Sequence, residues 1–249
     1  MEIRYKKGLL RFCEVWFNKE LQVKGRNELY ADADVLVFHE SHVPVLLSSS
    51  PLKNGVLTLD ISAEQLFATF DRAFRNNVRR ASKEGIVFNF GSTMRDLDAV
   101  YSTYKQFCKN KQIAFMSYFL LKHYAQTGHL LISKAMLGNS IVQSHIYLVE
   151  KEEAILLASI PIDGDVSGQL LGWTNRALHW ADIVRFKEAG LLRYNLGGMG
   201  NPVTEHNRSI VAFKQEMHPA EVIYYHDTVP ISQLGKVYFF LKEAHKMTS

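Results

Sequence analysis

Apolar and polar positions alternate over short stretches in the first sixty residues. Leu10–Phe17 and Val35–His39 are rich in β-branched and aromatic residues, and Val56–Ile61 carries Val, Leu, Leu and Ile, so all three read as strands. Turn residues separate them at Lys24-Gly25-Arg26-Asn27, Ser48–Pro51 and Asn54-Gly55. The period then changes. Leu66, Phe70, Phe74, Val78 and Ala81 recur at helical spacing and form one stripe. Ser62 and Gln65 make a capping box and Gly85 stands at C′, so one helix is expected between them. Arg72, Arg75, Arg79 and Lys83 follow the same period roughly opposite the stripe.

A strand is expected at Ile86–Phe90, then helices over Arg95–Lys109 and Tyr118–Gln126. Three strands follow closely: His129–Met136, Ile141–Glu150 and Ala154–Ile160, turned at Gly138-Asn139 and at Lys151-Glu152-Glu153. Beyond a loop with Asp163-Gly164-Asp165, a helix over Asn175–Ala189 ends at Gly190. Leu191–Leu196 reads as a strand closed by Gly197-Gly198, followed by a helix at Ser209–Met217, a strand at Glu221–His226 and a helix at Ser232–His245. This order predicts a mixed α/β domain in which an antiparallel meander feeds a crossover helix. The sheet should open where the last meander strand gives way to Leu191–Leu196, and such crevices at strand carboxyl ends bind ligands.

Composition narrows the class. With 47% apolar, 12% aromatic and 22% charged residues, the chain can build an ordinary globular core. The longest apolar run, near Ala154–Ile162, has strand length, far short of the roughly 20 residues that cross a bilayer. Charges interrupt the first eleven residues, so no signal h-region is expected. Cys13 and Cys108 make no disulfide framework, which together points to a cytoplasmic protein without stable membrane insertion. A net charge of +4 suits an anionic small molecule better than a nucleic-acid duplex.

Three segments carry a family likeness. Arg72–Gly85, "RAFRNNVRRASKEG", is similar to a basic "R..I.KA.K.G" helix. Trp180–Gly198, "WADIVRFKEAGLLRYNLGG", is similar to "W..I...K..G...YDLGG", and Phe213-Lys214 to the "FK..F" that follows it. In this order they resemble the GNAT acyltransferase fold, and more narrowly its FemAB-like branch, the peptidoglycan-bridge aminoacyltransferases and their single-domain relatives. The Asp of that pattern is Asn195 here, its last aromatic is Met217, and the "[RQ]xxGx[GA]" pyrophosphate loop of acetyl-CoA-dependent members is missing. The resemblance implies an α/β (α+β) fold: a GNAT-like, mixed but mostly antiparallel central sheet flanked by helices. A β-rich N-terminal extension would resemble a reduced first GNAT repeat. Residues 1–90 are then an N-terminal β-rich segment with the basic helix, packed on a GNAT-like acyltransferase domain at 91–249.

Candidate chemistry follows from both readings. The resemblance places Lys214 at the reacting centre, to stabilise an oxyanion or hold a phosphate, with Phe213 packing beside it. Arg75, Arg79 and Lys83, with Arg72 and Arg80, offer an anion site, or else a solvated helix face. Gly197 and Gly198 allow close approach of a ligand to the backbone, or simply a tight turn. Asn195 and Arg193 share one side of their strand. His145 and Glu150 are candidate general bases, and His179, beside Trp180, reads as structural. His206 and Arg208 lie in a polar loop, Met199–Ser209, expected to touch substrate. For a donor's pyrophosphate, Gly168, Gly172 and Trp173 precede a helix N-terminus expected near Asn175. No His/Cys/Asp spacing resembles a metal site, and nothing resembles a Ser-His-Asp arrangement, a Walker A loop or a dinucleotide fingerprint.

The resemblance implies an N-acyltransferase acting on an amine of a cell-envelope or polysaccharide precursor, and the basic helix suits a phosphate-bearing acceptor such as a nucleotide-linked amino sugar. The donor would be acyl-CoA or another acyl thioester, with an aminoacyl-tRNA as the alternative. A third reading is a non-catalytic GNAT-like module that binds an anionic ligand.

Overall fold

The computed structural model describes residues 1–20, 30–162, 166–200 and 205–247, with backbone alone at 205–207 and 242–247. The turn at Lys24–Asn27, the loop at Asp163–Asp165 and the His206 side chain therefore lie outside the described residues. The chain forms two compact units, Met1–Lys53 with Val222–Ser249, and Asn54–Glu221. This differs from a division at residue 90. The stripe residues Phe70, Phe74 and Val78 share one buried cluster with Ala177, Ile183 and Phe186, so the basic helix belongs to the central unit.

In the first unit, β1 (Glu2–Lys7) and β2 (Leu10–Trp16) form an antiparallel hairpin. β2 runs parallel to β3 (Val35–Ser41), whose other neighbour is the antiparallel β10 (Ala220–Pro230). β1 falls where charges break the apolar pattern: its inward Ile3 is buried, while Glu2 and Arg4 point outward. Cys13, Val15, Tyr30, Leu36 and Phe38 form the core of this unit, and α7 (Gln233–Met247) closes the chain. Cys13 is fully buried, and burial pushes its thiol up to about 11, so it packs as a neutral group.

The central unit is a sheet in the order β4-β9-β8-β7-β6-β5. Its strands are β4 (Pro51–Thr58), β5 (Ile86–Gly91), β6 (Leu130–Leu137), β7 (Ser140–Glu150), β8 (Glu153–Pro161) and β9 (Arg193–Gly198). All adjacent pairs are antiparallel except β8–β9. The helices are α1 (Ala63–Thr69), α2 (Arg72–Lys83), α3 (Met94–Asn110), α4 (Tyr118–Gln126), α5 (Gly168–Glu188) and α6 (Glu205–Gln215). The expected α/β, mostly antiparallel architecture and the β6–β7–β8 meander are present.

Several boundaries depart from the sequence pattern for local reasons. Asn54-Gly55 is not a turn but lies inside β4, opposite a bulge in β9 where Leu196 and Gly197 face Gly55 and the pairing shifts register. A Cβ at Gly55 would lie 2.8 Å from Met199 Sδ and 3.0 Å from Pro219 Cγ, so any side chain there would require Met199 to shift. The capping box at Ser62 and Gln65 forms as expected. The helix it starts, however, ends at Thr69, and Phe70 is extended at φ −68°, ψ 155°. There the Asp71 amide leaves the helical path to donate to Glu216 O at 2.8 Å, and α2 restarts at Arg72.

Arg75 bridges that break. Its Nη1 donates to Ala68 O at 2.7 Å and Phe70 O at 2.5 Å, carbonyls that the end of α1 leaves without helical partners. Arg75→Gln should therefore cost about 1.5–3 kcal/mol, the scale of hydrogen bonds made by a charged donor. The exposed Arg79→Gln should stay within about 0.5 kcal/mol. Denaturant unfolding of both variants checks this, and equal midpoints would remove Arg75 from the helix joint.

Candidate active site

The opening of the sheet begins with β8 and β9. They pair in parallel over three positions only: Glu153 with Arg193, Ala154 with Tyr194, and Ile155 with Asn195. Two local features turn the strands apart. On β8, the register with β7 slips so that Tyr147 opposes Leu156 and Ile146 opposes Ala158, leaving Leu157 as an extra residue that bends the strand. On β9, Gly197 takes φ +74°, a left-handed conformation suited to glycine. Asn195 Oδ1 holds that turn by accepting from the Gly197 amide at 2.9 Å.

A cavity of about 510 Å³ occupies the opening. Leu156–Ser159 of β8 and Leu196–Gly198 of β9 form two walls, α3 supplies Tyr104, Phe107 and Cys108, and α6 supplies Phe213 and Lys214. Asn175 and His179 of α5 complete the lining. The walls are mostly apolar, with polar groups gathered near β9, the usual composition of a small-molecule site. Burial raises the Cys108 thiol, and it pushes the Tyr104 hydroxyl up to about 12. Both are neutral near pH 7, so Cys108 offers no thiolate nucleophile.

Lys214 is the cation of this cavity. It is only 8% exposed and donates from Nζ to Gly198 O at 2.7 Å. A Cβ at Gly197 would lie 3.6 Å from Leu156 O and 3.9 Å from Lys214 Nζ. The missing side chain thus keeps open the space between the ammonium and the parted strands. The helix end that carries Lys214 is tied to α5. Arg176 Nε donates to Glu216 Oε2 at 2.8 Å and its Nη2 to Oε1 at 2.5 Å, a two-pronged pairing that fixes orientation. The Arg176 guanidinium also lies 5.1 Å from the Phe213 ring centre.

Behind the cavity, β7, β9 and α5 enclose a polar network in which His145 and Asp182 are 0% exposed. Asp182 Oδ2 accepts from His145 Nδ1 at 2.7 Å and from Tyr147 Oη at 2.5 Å. Tyr147 Oη meets Tyr194 Oη at 3.0 Å, and Tyr194 Oη meets His179 Nδ1 at 2.6 Å. His145 Nε2 lies 2.9 Å from Asn175 Oδ1, and Ser159 Oγ donates to the same oxygen at 3.1 Å. Burial raises both tyrosine hydroxyls well above their usual range. It also holds His179 well below the ordinary imidazole range, helped by the nearby His145, Lys214 and Arg176.

The expected site residues separate into three groups. Lys214, Phe213, Gly197, Gly198 and Asn175 line the cavity together. His145 and Asn195 are buried behind it. His145 was expected to face the amine as its base, but it does not line the cavity, and both its ring nitrogens have hydrogen-bond partners. Asn195 shapes the β9 turn and donates from Nδ2 to Glu153 Oε1 at 3.1 Å. The others lie elsewhere. Arg79 and Lys83 are exposed on α2, and Arg79 caps the Phe67 ring at 5.8 Å. Arg208 is exposed on α6. Trp173 packs against the main core with the Arg80 guanidinium 5.3 Å from its ring centre, away from the cavity lining.

The helix N-terminus expected near Asn175 sits seven residues earlier. Ser167 is the N-cap, its Oγ accepting from the Leu170 amide at 3.2 Å, and α5 begins at Gly168. Gly168 and Gly172 thus lie in the first two turns, and Asn175 is inside the helix.

The sequence reading missed His179, Asp182, Tyr147 and Tyr194 as a connected set. The available signal was polarity on the buried side of α5, where His179 and Asp182 interrupt Ala177, Leu178, Ile183 and Phe186. His145, His179 and Asp182 could also bring one ligand atom each within 4.8 Å of one another, the one grouping among the described residues that could hold a metal ion. Both His145 nitrogens would first have to leave their present partners.

No family model matches the chain, and no curated protein matches it in sequence. Solved structures match its fold. FemX superposes with a TM-score of 0.62 at 11% identity, covering 90% of this chain and 83% of that one. L-PGS from Bacillus licheniformis gives 0.56 at 13% identity, covering 93% and 81%. The DUF2156 C-terminal domain of an Agrobacterium fabrum protein assigned as a lysylphosphatidylglycerol synthetase gives 0.56 at 15% identity, covering 98% and 84%. The fold is therefore GNAT-like, of the FemX kind.

Proposed function

On this fold, we propose that the chain is an acyltransferase that moves an acyl or aminoacyl group onto an amine of a cell-envelope component. The observation that carries this reading is the cavity where β8 and β9 part, with the buried ammonium of Lys214 at its edge. Acyl transfer builds negative charge on the carbonyl oxygen, and a positioned cation in a dry site stabilises that charge. The parted β8 strand offers backbone groups that β9 no longer pairs, and Gly197 leaves room for a carbonyl beside them. The names of the structural neighbours, FemX and a lysylphosphatidylglycerol synthetase, support an acceptor in the envelope.

An acyl thioester such as acyl-CoA is the donor in this reading. Its phosphates would meet the first turn of α5, whose amide groups at Gly168 and Gln169 precede the helical ladder. An aminoacyl-tRNA is the second donor reading, favoured by the resemblance to the FemAB-like branch.

Calorimetry with CoA, acetyl-CoA and octanoyl-CoA, beside filter binding of charged tRNA, tests the pair. Micromolar heat with an acyl-CoA, abolished in Ala158→Trp where the indole fills the cavity, supports the thioester reading. Retained charged tRNA without any CoA heat supports the second. Neither signal would leave the chain as a binding module of GNAT-like fold.

A further inference from the structure

The hydrogen bonds behind the cavity fix the protons on Tyr147, Tyr194 and His179. Tyr147 has one hydroxyl hydrogen, and at 2.5 Å from a carboxylate oxygen it points at Asp182 Oδ2. Its oxygen can then only accept, so the 3.0 Å contact with Tyr194 requires Tyr194 to donate. The Tyr194 oxygen in turn can only accept, and its 2.6 Å contact with His179 requires a hydrogen on Nδ1. The opposite assignment would press two hydroxyl oxygens together without a hydrogen between them, fully buried. A neutral imidazole with its hydrogen on Nδ1 carries a bare lone pair on Nε2. That nitrogen is the one without a partner: His179 Nε2 is buried and has no hydrogen bond. The ring itself lines the cavity beside Lys214.

We infer that His179 Nε2 is the proton acceptor for the incoming amine, and that the chain Asp182–Tyr147–Tyr194 positions it by locking the ring as the Nδ1–H tautomer. The inference rests on the acyl-transfer reading above. The amine nitrogen bonds to the acyl carbon while the carbonyl electron pair moves onto oxygen beside Lys214. The nitrogen's proton goes to His179 Nε2. The oxygen's pair then re-forms the carbonyl, the bond from carbon to the donor's sulfur or oxygen breaks with its electron pair, and the leaving atom takes the proton from Nε2.

The ring is kept neutral by its dry setting and its neighbours. The titratable and charged groups around it are His145 and Tyr147 from β7, Tyr194 from β9, Asp182 and Arg176 from α5, and Lys214 from α6.

Two measurements that need no donor test the inference, so its failure is separable from failure of the calorimetry above. Long-range proton–nitrogen spectra of histidine-labelled protein, assigned with His179→Gln, should show His179 as a neutral Nδ1–H ring from pH 6 to 8, on the order of one unit either side of neutrality. Tyr194→Phe, which removes only the accepting oxygen, should shift the ring toward the Nε2–H form. Diethyl pyrocarbonate, which acylates a bare imidazole nitrogen with release of ethanol and carbon dioxide, should label His179 before His145, and the adduct should vanish in His179→Gln. An Nε2–H ring in the wild-type protein, a metal ion held on Nε2 as isolated, or an unreactive His179 beside a labelled His145 would each overturn it.

Discussion

Replacing Lys214 with alanine should lower turnover by about 10²-fold, the scale of losing one oxyanion-stabilising group. The ammonium is nine-tenths buried and has no bulk water to screen it, so its field acts at nearly full strength on charge developing in the cavity. If Lys214 meets charge that exists only in the transition state, kcat falls and KM stays close to its starting value. If it binds a phosphate of the donor instead, KM rises. The fold should survive the change, because the lost hydrogen bond from the charged Nζ to Gly198 O is worth about 1.5–3 kcal/mol, below the roughly 5–15 kcal/mol by which a folded domain is stable. Steady-state kinetics with whichever donor binds in the calorimeter, beside a thermal melt, decide the matter. Full activity in Lys214→Ala would detach the cavity from the chemistry.

Asp182→Ala should instead act on stability. Two donors, His145 Nδ1 and Tyr147 Oη, converge on one carboxylate oxygen, and neither can reach water if that oxygen is removed. Breaking a buried pair from one side costs about 3–5 kcal/mol. For a chain of this size each kcal/mol moves the melting temperature by roughly 2–4 °C, so a fall on the order of 10 °C is expected. Differential scanning calorimetry reads it directly. A melt within about 2 °C of wild type would mean that the two donors find other partners.

The two substitutions probe parts of the molecule that differed in legibility. Glycine stops were plain in the sequence: Gly85 and Gly190 both take left-handed φ values, +73° and +80°, directly after α2 and α5. The capping box at Ser62 was equally plain, and so was the opening beside β9, because each depends on neighbours in sequence or on element order. The break between α1 and α2 was hidden because Phe70 and Phe74 keep helical spacing across it. What breaks the helix is the Glu216 carbonyl, far along the chain. The start of α5 was hidden because Gly168 and Gly172 lower helix propensity, while one serine cap decides the boundary. His179 read as structural for a related reason. A histidine on a buried helix face shows its purpose only through Tyr194 and, beyond it, Tyr147 and Asp182, and no local pattern joins those positions.

The discontinuity of the first unit has a consequence for the order in which the protein is made. β3 reaches the ribosome exit long before β10, the strand that pairs with it from Ser41 with Tyr225 to Val35 with Pro230 across one register shift. At about 5–20 residues per second, synthesis of the intervening chain takes on the order of tens of seconds. During that interval the β1–β2–β3 segment holds an unpaired edge carrying Val35, Leu36 and Phe38, all buried once folding is complete. Residues 54–221 are contiguous, and emerge whole while that edge waits. The nascent chain is therefore most open to mispairing between the release of β3 and the arrival of β10.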